Sequence, residues 1–333
     1  MKRTSLPLRT RRAFITLLGG TAAAWPVVAR AQQPAMPVVG VLYGGTAQSD
    51  GHWMAVWRKG LSETGFVEGK DVEILHLRAE WHYDRLPALA TELVRRRVAV
   101  IFALWNVSAL AAKSATETLP VVFAVGGDPV ELGLVASLNR PGANVTGAFL
   151  ASLALIQKRL QLLLEIVPAA RTVGFLINPT SRQKDFDLRE AETSARILGV
   201  TMVTLSAAAP GEIETALKGQ SIDALLIAND AMFFDPAAVA QLVASAASHA
   251  VPTIYAGREF VEAGGLISYA ANTDDAVRLA VTYVGRILKG EKPAELPVQQ
   301  VTRFETVLNL GVAKALGLNL PPAVLLRADE VIE

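Results

Sequence analysis

The sequence contains no cysteine, and this absence excludes several kinds of site together. Without thiols, the 333-residue chain has no disulfides, thiolate nucleophiles, iron–sulfur ligands or cysteine zinc sites. It also lacks the cysteine that anchors a lipid-modified exported protein. The 4 histidines show no metal-binding spacing such as H-E-x-x-H. We therefore expect neither a cofactor nor a bound metal.

Charged residues and long apolar runs are also scarce. Charged residues make up 19% of the chain and apolar residues 51%, which favours a large buried core over disorder. After residue 31 there is no apolar run of the roughly 18 residues that a membrane span requires. We therefore expect a protein that is not embedded in a membrane.

The first 31 residues have the pattern of an export signal. Thr10-Arg11-Arg12-Ala13-Phe14 is a twin-arginine motif, an apolar run follows, and Ala29-Arg30-Ala31 forms a cleavage site. We interpret residues 1–31 as a twin-arginine signal peptide cleaved after Ala31, which predicts a periplasmic location. The alternative is a basic first helix of a cytosolic protein. The remaining chain has 26 basic and 31 acidic residues, so nucleic acid is not an expected partner.

From Met36 onward, short β-branched runs alternate with longer amphipathic stretches. Runs such as 98–102 and 224–227 are continuously apolar, as are strands that helices cover on both faces. The alternation predicts an α/β fold with doubly wound parallel sheets. The predicted strands are 38–43, 72–77, 98–104, 121–125, 172–177, 201–205, 224–228, 253–255 and 266–269. Helices are predicted at 157–167 and from Asn272 to about 288.

This number of strand–helix units exceeds one open sheet of ordinary size, so we expect two lobes. The turn-rich segment 140–144 and the polar, proline-containing segment 289–297 indicate where the chain divides. We predict two Rossmann-like lobes joined by a hinge. The N-terminal lobe is predicted to comprise residues 36–145 and about 252–288, and the C-terminal lobe residues 146–251 and about 289–333.

Polar, aromatic and turn-forming residues follow the predicted strands. Ligands of open α/β sheets bind beyond the carboxyl ends of the strands, where glycines and helix N-termini allow close approach. Asp230 or Asp128 would pair with an ammonium group, and Trp105, Tyr43 or Tyr255 would stack on a ring or cover a cation. Each residue taken singly is also an ordinary turn or cap residue. The predicted ligand-binding residues are Gly45, Thr46, Trp105, Asn106, Asp128, Asn178, Thr180, Asp230, Tyr255 and Arg258.

Features of catalysis are missing from the sequence. No serine lies in a G-x-S-x-G elbow, and no pair of carboxylates stands out by its spacing. Gly44-Gly45-Thr46 and Gly126-Gly127 match neither a dinucleotide fingerprint nor a P-loop. Trp53 and Trp57 have the spacing of a packed helix face, with contact at the rim of a site as the alternative. We expect a binding protein and not an enzyme.

One stretch resembles a known family. Residues 124–142, beginning Ala124-Val125-Gly126-Gly127-Asp128-Pro129, resemble a signature of the periplasmic ABC transporter substrate-binding proteins of the tryptophan/tyrosine type. The segments 11–33, 84–90, 287–294 and 328–333 are similar to the same family, so the resemblance covers essentially the whole chain. It implies a type I periplasmic-binding-protein fold, in which three crossovers join two lobes that close on a ligand. The post-strand loops predicted above would face that ligand.

Two loops depart from the family pattern. The family usually has a serine-rich loop after the first strand, where this chain has Gly44-Gly45-Thr46, and a Gly/Thr-rich loop at the position of Trp105-Asn106. The identity of the ligand therefore stays open. The resemblance implies a monomeric solute-binding component of an ABC importer, which binds an amino acid or related compound and delivers it to an inner-membrane permease. The alternatives are a ligand-sensing domain that reports to a receptor, and an exported α/β enzyme.

Overall fold

The computed structural model describes residues 36–152 and 154–333. The predicted signal peptide and its cleavage site at Ala31 lie outside these residues. Among the described helices, none combines the length and the apolar character that crossing a membrane requires. The strands are β1 (Val38–Tyr43), β2 (Glu73–Arg78), β3 (Val100–Leu104), β4 (Val121–Val125), β5 (Val145–Phe149), β6 (Thr172–Ile177), β7 (Thr201–Ser206), β8 (Ala224–Ile227), β9 (Thr253–Tyr255), β10 (Ile267–Ala271), β11 (Gln299–Gln300), β12 (Phe304–Asn309) and β13 (Glu330–Ile332).

Helices connect most of these strands, as the alternation predicted. They are α1 (Gly51–Glu63), α2 (Leu86–Arg95), α3 (Asn106–Ala115), α4 (Ala154–Ile166), α5 (Lys184–Leu198), α6 (Ile213–Leu217), α7 (Pro236–Ser248), α8 (Arg258–Glu262), α9 (Thr273–Leu288), α10 (Leu310–Ala315) and α11 (Pro322–Arg327).

The strands form two sheets. The first has the order β11-β5-β4-β3-β1-β2, and its paired strands all run parallel. The second has the order β13-β12-β10-β9-β8-β6-β7 and is parallel except where β12 pairs antiparallel with β10. The predicted α/β class with two mostly parallel sheets is confirmed. We call each sheet with the helices packed on it a lobe, the first and the second in chain order.

The chain passes between the sheets in three places. It leaves the first sheet after β5, returns after β10 with α9, and crosses again between β11 and β12. Asn272 lies at the second crossing, where its side chain accepts a hydrogen bond from the Asp275 amide at 3.2 Å and begins α9 at the predicted position.

Several segments belong to a different lobe from the one that the sequence indicated. The predicted N-terminal lobe included 252–288, but β9 and β10 extend the second sheet, with Ile254 in register beside Leu226 of β8. Only α9 from that range packs on the first sheet. Strand β5 and the short β11 also join the first sheet, although 146–149 and 289–300 were assigned to the C-terminal lobe. An apolar run alone does not specify which sheet its strand pairs with.

Alternate residues of the central strands supply cores on opposite faces of the first sheet. Val100 and Phe102 pack with α1 and α9, whereas Ile101 and Ala103 pack with α2 and α3. All of these side chains are completely buried. This two-sided burial explains why β3 is apolar at every position.

Gly147 is required where β5 lies beside β4. Its φ is +158°, and a Cβ atom there would overlap the carbonyl oxygen of Phe123 on the neighbouring strand. We predict that Gly147→Ala lowers the free energy of unfolding by about 1–3 kcal/mol in urea titrations, as overpacking of a core does.

Gly211 provides the matched control for this substitution. A Cβ at Gly211 meets nothing within 4 Å, so Gly211→Ala should change stability by less than about 0.5 kcal/mol. Equal effects of the two variants would contradict the assigned role of Gly147.

Candidate ligand-binding cleft

The two lobes meet at the carboxyl ends of their strands. Trp81, in the loop after β2, donates its indole N–H to Oδ2 of Asp235 in the second lobe at 2.9 Å. Trp105, directly after β3, contacts Phe234 with ring centroids 5.2 Å apart. We call the region between these facing loops the interlobe cleft.

A chain of amide hydrogen bonds crosses the cleft. The backbone amides of Gly126 and Gly127 donate to Oδ1 of Asn106 at 3.1 and 3.2 Å. Nδ2 of Asn106 donates to Oε1 of Gln183 in the second lobe. Nε2 of Gln183 in turn donates to Oδ1 of Asp187 at 3.1 Å. We call Asn106, Gln183 and Asp187 the amide relay.

The two glycines allow the lobes to approach this closely. A Cβ atom at Gly127 would lie 2.5 Å from Oε1 of Gln183. A Cβ at Gly126 would lie 3.0 Å from both Nδ2 of Asn229 and Oγ of Ser152. A Cβ at either position would displace these polar side-chain ends, which gives the Gly126-Gly127 pair a steric role in the cleft.

A buried charge lies beneath the second-lobe end of the relay. The guanidinium of Arg159 donates to the carbonyl oxygens of Ile227 and Ser152 at 3.1 and 3.3 Å. Burial lowers the pKa of Arg159 to about 10. Burial likewise raises the pKa of Asp187 to about 7, although its hydrogen bond from Gln183 and the charge of Arg159 act in the opposite direction. Asp187 therefore holds its proton to a higher pH than an exposed aspartate does.

A second polar cluster follows β6 and β8. Nδ2 of Asn178 donates to Oδ1 of Asp230 at 2.8 Å, and the amide and hydroxyl of Thr180 donate to Oδ1 of Asn178 at 3.0 and 2.7 Å. Burial raises the pKa of Asp230. Beside it, the buried Oδ1 of Asn229 has no hydrogen-bond partner among the described residues. The cluster thus presents a carboxyl group and a free amide oxygen next to the relay.

Cavities of unequal size lie along the cleft. A central cavity of about 10 Å³ is lined by Asn106, Gln183, Asn229 and Asp230, and it has room for about one water molecule. An aromatic cavity of about 660 Å³ lies on one side, between Tyr43, Trp53 and Trp105 of the first lobe and Phe234 and α7 of the second.

A polar cavity lies on the other side, between the Asp128 loop and α5. Its volume is about 440 Å³, and its lining includes Glu131, Phe186 and Arg189. Both side cavities fall within the roughly 300–1,000 Å³ typical of small-molecule sites. Among the described residues, no group of three or more His, Cys, Asp or Glu side chains has the arrangement of a metal site.

The structure brings most of the predicted site residues to the cleft. Trp105, Asn106 and Asp230 line the central cavity, and Asn178 and Thr180 hold Asp230 from behind. The remaining members at the cleft are Gly45, Thr46 and Asp128. Gly45 and Thr46 form the loop beside the aromatic cavity, where the amide of Thr46 donates to Ser49 Oγ at 2.9 Å, and Asp128 lines the polar cavity.

Two predicted residues have other contacts. Tyr255 is 1% exposed and stacks on Phe260 at a centroid distance of 5.0 Å within the second lobe. Arg258 forms ion pairs with Glu262, Glu305 and Glu330. Neither residue lines the central, aromatic or polar cavity.

Several residues of the cleft escaped the sequence analysis. Gln183 lies one residue before α5, and no motif distinguishes it from an ordinary polar residue. Trp53 lines the aromatic cavity, whereas Trp57 packs on Phe102 in the core. Of these two tryptophans spaced i, i+4, Trp57 is a packing residue of the core, and Trp53 contacts the rim of the site. No sequence pattern marked Phe234 as a residue of the cleft.

Comparison with known proteins identifies the family. A family model described as ABC transporter substrate binding protein matches residues 53–332. The chain belongs to this family of ABC transporter substrate-binding proteins. Family members are binding proteins and not enzymes, so the expectation of a non-enzyme is confirmed.

Relatives of this substrate-binding protein include ligand complexes. It is 26% identical over 266 residues to the tyrosine-binding protein of Clostridioides difficile (strain R20291), covering 78% of this chain and 75% of that protein. A conserved domain protein from Vibrio cholerae has a TM-score of 0.82 at 27% identity, covering 89% and 99% of the two chains. An ABC domain from Streptococcus pneumonia in complex with L-Trp has a TM-score of 0.80 at 26% identity, with the same coverage. The type I periplasmic-binding-protein fold implied by the resemblance is confirmed.

The raised pKa of Asp187 predicts that the stability of the protein depends on pH. Its pKa of about 7 lies above the ordinary value of 3.8, so the native state binds this proton more tightly than the unfolded chain. Its contribution is most favourable below the unfolded pKa and is lost as the pH rises through about 7. Relative to Asp187→Asn, the wild type should lose up to about 4 kcal/mol of unfolding free energy between about pH 4 and pH 8.

Asp185 on the same helix provides the control, because its side chain is 63% exposed. Urea titrations of Asp185→Asn should parallel the wild type across this pH range. If the Asp187→Asn and wild-type stabilities also ran parallel with pH, the assignment of the titrating group would be wrong.

Proposed function

We propose that the protein is the periplasmic solute-binding component of an ABC importer, which closes on a small solute and presents both lobes to an inner-membrane permease. The observation that carries the proposal is the contact between Asn106 and Gln183, which joins loops of separate lobes near two cavities of ligand size. A ligand that contacts both sides of this cleft would favour the closed arrangement over an open one. Such a receptor acts as a monomer and requires no cofactor.

The proposed solute is an aromatic amino acid or a related compound. The relatives described as binding tyrosine and L-Trp support this ligand class. In this chain, Asp230 offers an acceptor for an ammonium group where the lobes separate enough to widen the water-sized central cavity. The N-terminus of α3 begins at Asn106 in the same place and offers backbone amides for a carboxylate. Trp105 lines both the central and the aromatic cavity, so a ring could extend from one into the other.

Loss of the contact across the cleft should weaken ligand binding. We predict that Gln183→Ala raises the Kd for the tightest ligand about tenfold, because a hydrogen bond made on closure, worth about 1–1.5 kcal/mol, disappears. The ligand would be found by thermal shift against amino acids and aromatic metabolites, where about 100 times Kd adds roughly 2.7 kcal/mol to stability. Calorimetric titration would then give the Kd.

Lys184→Ala is the matched control in this experiment, because Lys184 is the next residue and its ion pair is with Asp185 on the same helix. It should leave the Kd unchanged. Failure of every solute to shift the melting temperature, or an unchanged Kd for Gln183→Ala, would contradict closure across the relay.

Export through the twin-arginine route is the second part of the proposal. It is supported by Arg11 and Arg12 ahead of an apolar run that ends at Ala31. We predict that Arg11→Lys combined with Arg12→Lys retains the protein in the cytoplasm, as measured by immunoblotting of osmotic-shock fractions. Arg9→Lys should leave export intact, and the N-terminal residue of the exported protein should be Gln32. Export of the double variant at the wild-type level would exclude this route.

A further inference from the structure

The walls of the aromatic cavity have two different characters. On the first-lobe side, Tyr43 and Trp53 are in edge contact with centroids 4.9 Å apart, and Trp105 continues this wall toward Phe234. The α7 side presents Ala240 and Ala244, small residues one helical turn apart that are exposed to the cavity. The aromatic rings therefore face a wall of small residues on α7, which leaves space for a ligand between them.

Acidic residues outnumber basic ones in the lining of this cavity, with Glu259 and Asp274 against His52 alone. Glu259 and Asp274 lie in its lining, and Nε2 of His52 lies 3.0 Å from Asp274. Among the described residues, no Lys or Arg lines the aromatic cavity, whereas Arg189 lines the polar cavity on the other side of the cleft. A negative group brought into the aromatic cavity would lose hydration, and the nearest basic groups, His52 and Arg278, already lie against Asp274. A positive group would meet ring faces and carboxylates.

We propose that the aromatic cavity binds the ring of the solute, and that it selects rings that are uncharged or positively charged over rings that carry an anionic substituent. This inference rests on the proposed function and adds to it the charge class of the ligand. The cavity selects by excluding anionic rings, because an unpaired anion near two acidic side chains destabilises the complex with such a ring. All three classes of ring carry the same head group, which lies at Asn106 and Asp230 once the lobes separate enough to widen the water-sized central cavity.

Ligands that differ only at the ring provide the direct test. L-Phenylalanine, 4-(aminomethyl)-L-phenylalanine and 4-carboxy-L-phenylalanine share one head group and carry a neutral, a cationic and an anionic ring. Calorimetric titration of the wild-type protein should give comparable Kd values for the first two and a Kd about tenfold or more weaker for the third. Equal affinity for the anionic and neutral rings would overturn the charge selectivity.

Filling the cavity tests its location. Ala244→Phe projects a ring from the exposed face of α7 into the aromatic cavity and should weaken binding of the neutral ligand about tenfold or more, with the melting temperature of the free protein unchanged. Thr193→Phe, which projects into the polar cavity, is the matched control and should leave the Kd unchanged. If Ala244→Phe does not fold, Ala240→Leu on the preceding turn replaces it.

The outcomes separate this inference from the proposed function. Binding of aromatic solutes that is insensitive to Ala244→Phe, or sensitive to Thr193→Phe instead, would keep the receptor and overturn the ring site. If wild-type protein binds none of these ligands nor any solute in the thermal-shift screen, the proposed function fails and the inference with it.

Discussion

The backbone amides of Gly126 and Gly127 can only donate hydrogen bonds, and the polarity of the whole relay follows from that constraint. Because they donate to Oδ1 of Asn106, the amide nitrogen of Asn106 faces the second lobe. Gln183 must then offer its oxygen across the cleft and its nitrogen to Asp187. An asparagine and a glutamine, whose amides could otherwise turn either way, therefore have one orientation when the lobes are closed. The glycine amides of the first lobe therefore set the direction of each hydrogen bond across the cleft, as far as Asp187 in the second lobe.

This arrangement gives the closed cleft a contact that is specific but modest in strength. One side-chain hydrogen bond in the relay, one indole bond from Trp81 and one aromatic contact at Trp105 join the facing loops. Each is worth on the order of 1 kcal/mol. A ligand whose binding depends on closure can shift an equilibrium of that size, whereas a large apolar interface would hold the lobes together without it. Three chain crossings, rather than the cleft contacts, keep the lobes joined.

The sequence predicted the fold class and most strands better than it predicted the lobe to which each strand belongs. Each predicted strand, from 38–43 to 266–269, overlaps a strand of the structure. The central strands were marked by short, continuously apolar runs, which are typical of strands buried on both faces. Strands β5, β11, β12 and β13 were missed, since Thr146, Glu305 and Glu330 interrupt the apolar pattern in three of them and β11 consists of two glutamines. The lobe to which β9 and β10 belong depends on strand pairing, which is a long-range property. At the cleft, post-strand position identified Trp105, Asn106 and Asp230, but Gln183 approaches them only through the meeting of two lobes.

The buried charges under the relay contribute more to specificity than to stability. Arg159 and Asp187 both lose hydration in the second lobe, and the raised pKa of Asp187 indicates that the attraction of Arg159 does not fully offset that loss. An apolar pair of similar volume would stabilise the lobe at least as well. Such a pair could not orient the amide of Gln183, which has no other hydrogen-bonded group behind it among the described residues. The polar pair therefore orients the side-chain oxygen of Gln183 toward Asn106. This acceptor lies between the aromatic cavity and the polar cavity.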